Sequence, residues 1–308
     1  MVGFLCGEGE GEVIKRQEIY MRDPFVLPVD GVYYLTGTTD KHWYGGRSDG
    51  LKIYTSTDLE HFSEPVTVFA PRDDFWSFEC WWAPELHFYK GRYYIFCTFD
   101  NKQKGRKGTQ ILVSDSALGS FEPLVDQLVT NEEWECLDAT LYVEDSVPYA
   151  VYCREWTKIY NGEIYVQRLS ADLKTKLGPP LLLFDAKSAP WTVGLNNHDA
   201  NKFDDYITDG PYLHRTKSGR LLMIWSSFSK DGYTVGIAAS DDGSVLGPWK
   251  HLEKPLFTGD GGHAMLFRDF EGRLRMALHV NNSELGKEHP RFMYVREEDD
   301  TLVCEGGE

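Results

Sequence analysis

Five segments of this chain repeat one pattern, and such a repeat limits the fold more than any single motif does. RDPFVLPVDGVYYLTGTT begins at Arg22, WAPELHFYKGRYYIFCTF at Trp82, LDATLYVEDSVPYAVYCREW at Leu137, TDGPYLHRTKSGRLLMIWSS at Thr208 and GGHAMLFRDFEGRLRMALHV at Gly261. Each has a polar or small entry, a short strand, a turn that usually carries Gly, and a second apolar or aromatic strand. The first four are followed by another hairpin signal built on a polar turn, as in IYTSTDLEHFSEPVTVF and VGIAASDDGSVLGPWKHL. Two hairpins per repeat make a four-stranded antiparallel sheet, so the expected fold is all-β, a five-bladed β-propeller. One domain is expected to fill residues 1–308, with blades near 20–70, 82–127, 137–186, 207–256 and 262–304. The fifth repeat ends early, at RFMYVREEDDTLVC, and the N-terminal GEVIKRQEI is expected to supply a closing strand.

Composition excludes several partners. A formal charge of -16 argues against nucleic acid and against an anionic membrane surface, both of which demand a surplus of Lys and Arg. No apolar run is long enough for a membrane helix, and MVGFLCGEGEGEV lacks a basic region ahead of its short apolar stretch, which reads as a cytoplasmic chain. The six cysteines show no CxxC pair, and Cys97, Cys136 and Cys153 sit in or beside apolar runs where a thiol behaves as a small hydrophobe.

The repeat changes the meaning of the acids. Taken alone, Asp209 ahead of Gly-Pro is as readily a turn former, because Asp hydrogen-bonds the backbone two residues on. In a propeller, however, the first strand of every blade lines the central channel, so equivalent positions converge on one axis. Aligned on the entry, that position holds Asp23, Ala83, Asp138, Asp209, and Gly262 beside His263. Three carboxyls and a histidine are thus predicted to share one pocket. Like charges packed together raise one another's pKa, and such a cluster persists where it is used, either to hold a hard cation or to divide into a general acid and a general base. Trp43, Tyr44, Trp76, Trp81, Trp82, Trp156 and Trp191 supply flat apolar faces suited to sugar rings, although blade interfaces also consume aromatics. Trp76, Trp191 and the Trp43-Tyr44 pair fall in polar connections and are the expected exceptions to core packing.

YMRDPFV, WWAPELHF, LDATLYV, TDGPYL and GDGGHAMLF, in this order and spacing, resemble glycoside hydrolase family 43, over about residues 18–295. The resemblance implies a five-bladed hydrolase that inverts the anomeric carbon and acts on arabinofuranosides or xylosides, with an oligosaccharide substrate and no required cofactor. It assigns Asp23 as the base that activates water, Asp138 as the acid that tunes and orients, and Asp209 as the proton donor. Family members more commonly carry Glu-Gly-Pro at the fourth motif, so Glu155 in CREW and Glu85 in WAPE stand as alternative donors. Trp43, Trp82, Glu85, Glu155, Trp156, Trp191 and His263 are the expected substrate-binding residues. The same resemblance implies that His263 holds a water or a structural Ca²⁺ near the axis, and His279 reads as structural. An exo-acting α-L-arabinofuranosidase is the leading expectation. β-Xylosidase action and a non-catalytic sugar-binding propeller are the alternatives. A six-bladed sialidase does not fit the repeat count, and a fructan hydrolase lacks its Asn-Asp-Pro-Asn-Gly signature despite Glu79-Cys80.

Overall fold

The structure, a computed structural model, describes residues 13–40, 45–195 and 204–305. Five four-stranded antiparallel sheets follow one another along the chain. Blade one consists of Arg22–Val29, Val32–Thr38, Leu51–Ser56 and Val66–Phe69. Blade two runs from Glu79–Tyr89 through Arg92–Asn101 and Arg106–Ser114 to Glu122–Leu128. Blade three holds Cys136–Glu144, Val147–Arg154, Glu163–Arg168 and Leu181–Asp185. Blade four holds Asp209–Arg215, Leu221–Ser229, Gly232–Ser240 and Trp249–His251. Blade five holds Gly261–Arg268, Leu274–Val280, His289–Glu298 and Thr301–Cys304.

The five-bladed propeller expected from the repeat is therefore present, with one correction at its ends. Blade five has its own fourth strand, Thr301–Cys304, and needs no loan from the N-terminus. Ile14–Lys15 instead pairs with His61–Phe62 at the side of blade one. Closure is made by packing: Ile19, Met21 and Phe62 share a buried cluster with Met265, Phe267 and Phe292 of blade five. Each of the five apolar clusters likewise lies between two successive blades. Alternation along every strand sends one set of side chains to each neighbouring blade, which is why strands such as Leu221–Ser229 are buried on both faces.

Every first strand carries a bulge at its entry, and this positions the site. The residue before the bulge pairs across the ladder with the second strand, in the pairs Arg22–Thr38, Trp82–Thr98, Leu137–Cys153, Asp209–Ser226 and Gly262–His279. The next residue is left-handed in all five blades: Asp23 at φ 53°, Ala83 at 45°, Asp138 at 56°, Gly210 at 49° and His263 at 50°. A bulge adds a residue and re-aims its side chain, here at the channel.

Candidate active site

The bulges correct the alignment of the acids. Asp209 is equivalent to Arg22 and Leu137, not to Asp23, and Gly210 holds the left-handed position in blade four. In blade five that position is His263 itself, one residue beyond Gly262. Left-handed backbone costs a residue with a Cβ on the order of 1–2 kcal/mol, so four non-glycine residues there must be held by their surroundings.

A belt of blade-to-blade hydrogen bonds holds them. Ala83 N–H donates to Thr38 Oγ1 at 2.8 Å, Asp138 N–H to Thr98 Oγ1 at 2.9 Å and His263 N–H to Ser226 Oγ at 2.8 Å. Asp23 N–H donates to His279 Nδ1 at 3.1 Å. In blade three the belt position is Cys153, and Gly210 N–H donates instead to Asp138 Oδ2 at 3.2 Å. His279, read from the sequence as structural, thus touches the backbone of a site acid and lies 3.5 Å from its carboxyl.

The three acids and His263 share one cavity of about 670 Å³. His263 Nδ1 lies 3.3 Å from Asp23 Oδ1 and 3.7 Å from Asp138 Oδ2, so one ring nitrogen bridges two acids. Asp23 Oδ2 accepts from Thr38 Oγ1 at 2.7 Å, and Asp209 Oδ2 accepts from the Tyr233 hydroxyl at 2.9 Å. Arg22 beside Asp23 donates to Glu288 Oε1 and to Asn282 Oδ1, both at 2.9 Å.

These surroundings separate the acids. Burial alone would raise Asp23, but His263 and Arg22 with the Thr38 hydroxyl outweigh it and hold this carboxyl below its ordinary range. Burial drives Asp209 up to about 6, with the Asp23 charge adding and His263 and Tyr233 opposing. Asp138 is pushed well above its ordinary value by burial, against the pull of His263 and with the Asp209 and Asp23 charges adding. Burial would depress His263, yet the three acids hold it above its ordinary value. His279, buried and facing Arg22, falls to about 3 and is neutral. Two carboxyls in one pocket, one kept ionised and one able to hold a proton, make an acid and base pair.

Trp82, Glu155 and Trp156 line the cavity with the acids and His263. Glu155 pairs with Lys107 Nζ at 2.8 Å, and that ammonium also lies 5.1 Å from the centre of the Trp82 ring. Three of the expected residues lie elsewhere. Trp191 is buried against Trp225 at 4.9 Å and fills the space where Gly236 has no side chain, so it is core. Trp76 is also core, donating from Nε1 to Gln110 Oε1 at 2.6 Å. Glu85 lies beyond the bulge, pairs with His87 Nε2 at 2.8 Å and does not line the cavity. Trp43 and Tyr44 fall outside the described residues. Calcium takes six to eight oxygen ligands, whereas His263 spends its Nδ1 on two carboxyls. Among the described residues no group of three or more His, Cys, Asp or Glu is placed to hold a metal ion.

Thr38, Tyr233, Arg22 and Asn282 were not signalled as site residues. A hydroxyl does recur in the second strand opposite the bulge, in Thr38, Thr98 and Ser226, and that column of the repeat could have revealed the belt.

The model of glycosyl hydrolases family 43 matches residues 17–297. Alpha-L-arabinofuranosidase 43 of Humicola insolens is 24% identical over 255 residues, 77% of this chain and 48% of that protein. The extracellular exo-alpha-(1->5)-L-arabinofuranosidase of Streptomyces chartreusis is 26% identical over 187 residues, 58% of this chain and 53% of that protein. The chain spans about half the length of these curated relatives. The crystal structure of an endo-arabinase from Bacteroides thetaiotaomicron VPI-5482 superposes with a TM-score of 0.83 at 40% identity, covering 93% of this chain and 98% of that one.

Proposed function

This chain belongs to glycosyl hydrolases family 43, and on that premise we propose that it hydrolyses α-L-arabinofuranosyl linkages in oligosaccharides with inversion at the anomeric carbon. The observation that carries the reading is the opposite electrostatic setting of Asp23 and Asp209 in one cavity. Asp23, ionised, takes a proton from a water as that water attacks the anomeric carbon. Asp209, protonated below about pH 6, gives its proton to the departing oxygen. Asp138 accepts the Gly210 N–H and thereby fixes the backbone that carries Asp209. Trp82 and Trp156 offer ring faces to the sugar, and the two carboxyls with a water suffice for the chemistry.

Arabinose is favoured by the relatives, two described as arabinofuranosidases and a structure at 40% identity described as an endo-arabinase. Release of single units from chain ends is the mode we propose. A proton NMR time course with 4-nitrophenyl α-L-arabinofuranoside and 4-nitrophenyl β-D-xyloside tests the sugar and the stereochemistry together. Faster cleavage of the arabinoside, with the inverted anomer appearing first, is expected. Retained configuration overturns the mechanism, and preferential xyloside cleavage overturns the sugar. Linear arabinan then separates the modes: early products longer than arabinose overturn action at chain ends.

A further inference from the structure

Thr38 ends the second strand of blade one and is 2% exposed. A hydroxyl has one proton to give and two lone pairs to receive with. At Thr38 both roles are filled by groups that leave no choice of direction. The Ala83 N–H of blade two can only donate, and it donates to Oγ1 at 2.8 Å. The hydroxyl proton is left over, and it goes to Asp23 Oδ2 at 2.7 Å.

The other belt positions do not repeat this. Thr98 accepts Asp138 N–H, but its side-chain neighbour is the Thr109 hydroxyl, at 3.4 Å. Ser226 accepts His263 N–H, and no side-chain bond from its hydroxyl to a site acid is seen among the described residues. Cys153 leaves Gly210 N–H to Asp138. Blade one is where the bond that locks two blades together also aims a donor at a site carboxyl.

We propose that Thr38 is the positioning residue of the base, its hydroxyl aimed by the Ala83 N–H of the neighbouring blade and fixing the Asp23 carboxylate toward the attacking water. The inference rests on the reading of Asp23 as base. A hydrogen bond to a charged group, removed, moves the titration of that group by about one to two pH units. A base displaced by about an ångström loses up to about a hundredfold in rate.

Thr38→Val keeps the shape and removes the hydroxyl, Thr38→Ser keeps the hydroxyl, and Thr38→Cys leaves a weak donor in a residue type that blade three already accepts at the same position. Three quantities are read: the ascending limb of kcat/KM against pH, the melting temperature, and the titration of Asp23 by ¹³C NMR of carboxyl-labelled aspartate, assigned with Asp23→Asn. The expected result is an ascending limb and an Asp23 titration both about one to two units higher in the valine and cysteine variants. kcat/KM should fall about tenfold to a hundredfold, with serine close to the parent. Should valine fail to fold, cysteine gives the same reading. A lower melting temperature with limb and titration unmoved overturns the proposal and leaves Thr38 as a belt residue. Failure of serine to restore the limb overturns it too. If Asp23→Ala retains hydrolysis, the base reading fails by itself, while the carboxyl titration still decides whether Thr38 acts on Asp23.

Discussion

Asp23 and Asp209 open the first strands of blades one and four, yet they are built into those strands differently. Asp23 is itself the left-handed bulge residue, fixed by its own N–H to His279 and met by an imidazole, a hydroxyl and a nearby guanidinium. Asp209 precedes the bulge, Gly210 takes the left-handed turn, and a phenol meets the carboxyl. Burial raises both acids, and positive and donor groups reverse the effect for Asp23 alone. Register alone does not decide which acid keeps a charge, since Asp138 shares the bulge position of Asp23 and is raised; the partners each carboxyl meets decide it. On the proposed reading, one side-chain type serves as base and as proton donor because the two carboxyls meet different partners.

The largest expected effect breaks this pair outright. Asp23→Ala should lower kcat by about a hundredfold to ten-thousandfold on every substrate, since no leaving group spares the need for an activated water. Steady-state rates on 4-nitrophenyl arabinoside and on an arabinose disaccharide check it. An unchanged rate on either would remove Asp23 as the base. Asp209→Asn should lose a similar factor on the disaccharide and much less on the nitrophenyl glycoside, whose phenolate departs without a proton. Equal losses on both would show that Asp209 does not donate to the leaving oxygen.

The repeat revealed the blades and the three acids because backbone period and polar entry are local properties of the chain. It missed the register of Asp209 because a bulge residue is defined by pairing, which comes from the partner strand. Proline held the missing signal: Asp23-Pro24, Ala83-Pro84 and Gly210-Pro211 align on the ring and place Gly210 at the bulge. Trp191 and Trp82 show the other limit. Both are tryptophans near polar residues, but Trp191 fills the space over Gly236 whereas Trp82 opens on the cavity, and only three-dimensional packing separates them. Tyr233 was hidden for the same reason, since it reaches Asp209 from the third strand of blade four.

Tyr233 sharpens the comparison without destroying activity. Its hydroxyl donates to Asp209 and so stabilises the charged form. In the proposed mechanism hydrolysis needs Asp23 ionised and Asp209 protonated, so kcat/KM should rise through the lowered Asp23 titration and fall through about 6. Tyr233→Phe removes the donor and should move the descending limb upward by about one unit, leaving the ascending limb in place. A pH profile checks the sign, and a downward shift would mean that the phenol does not act on Asp209.

The smallest expected effect decides between rival donors. Glu155 lines the cavity as Asp209 does, but its carboxylate is paired with the Lys107 ammonium at 2.8 Å. At Asp209 burial itself favours the protonated form. Glu155→Gln keeps the size of the side chain and removes its charge, so it should change KM by about threefold or less if Glu155 makes only binding contacts worth about 0.6 kcal/mol. The descending limb should stay near 6. If that limb disappears and the disaccharide loses more rate than the nitrophenyl glycoside, Glu155 is the donor, and the contrast between blades one and four gives way to one between blades one and three.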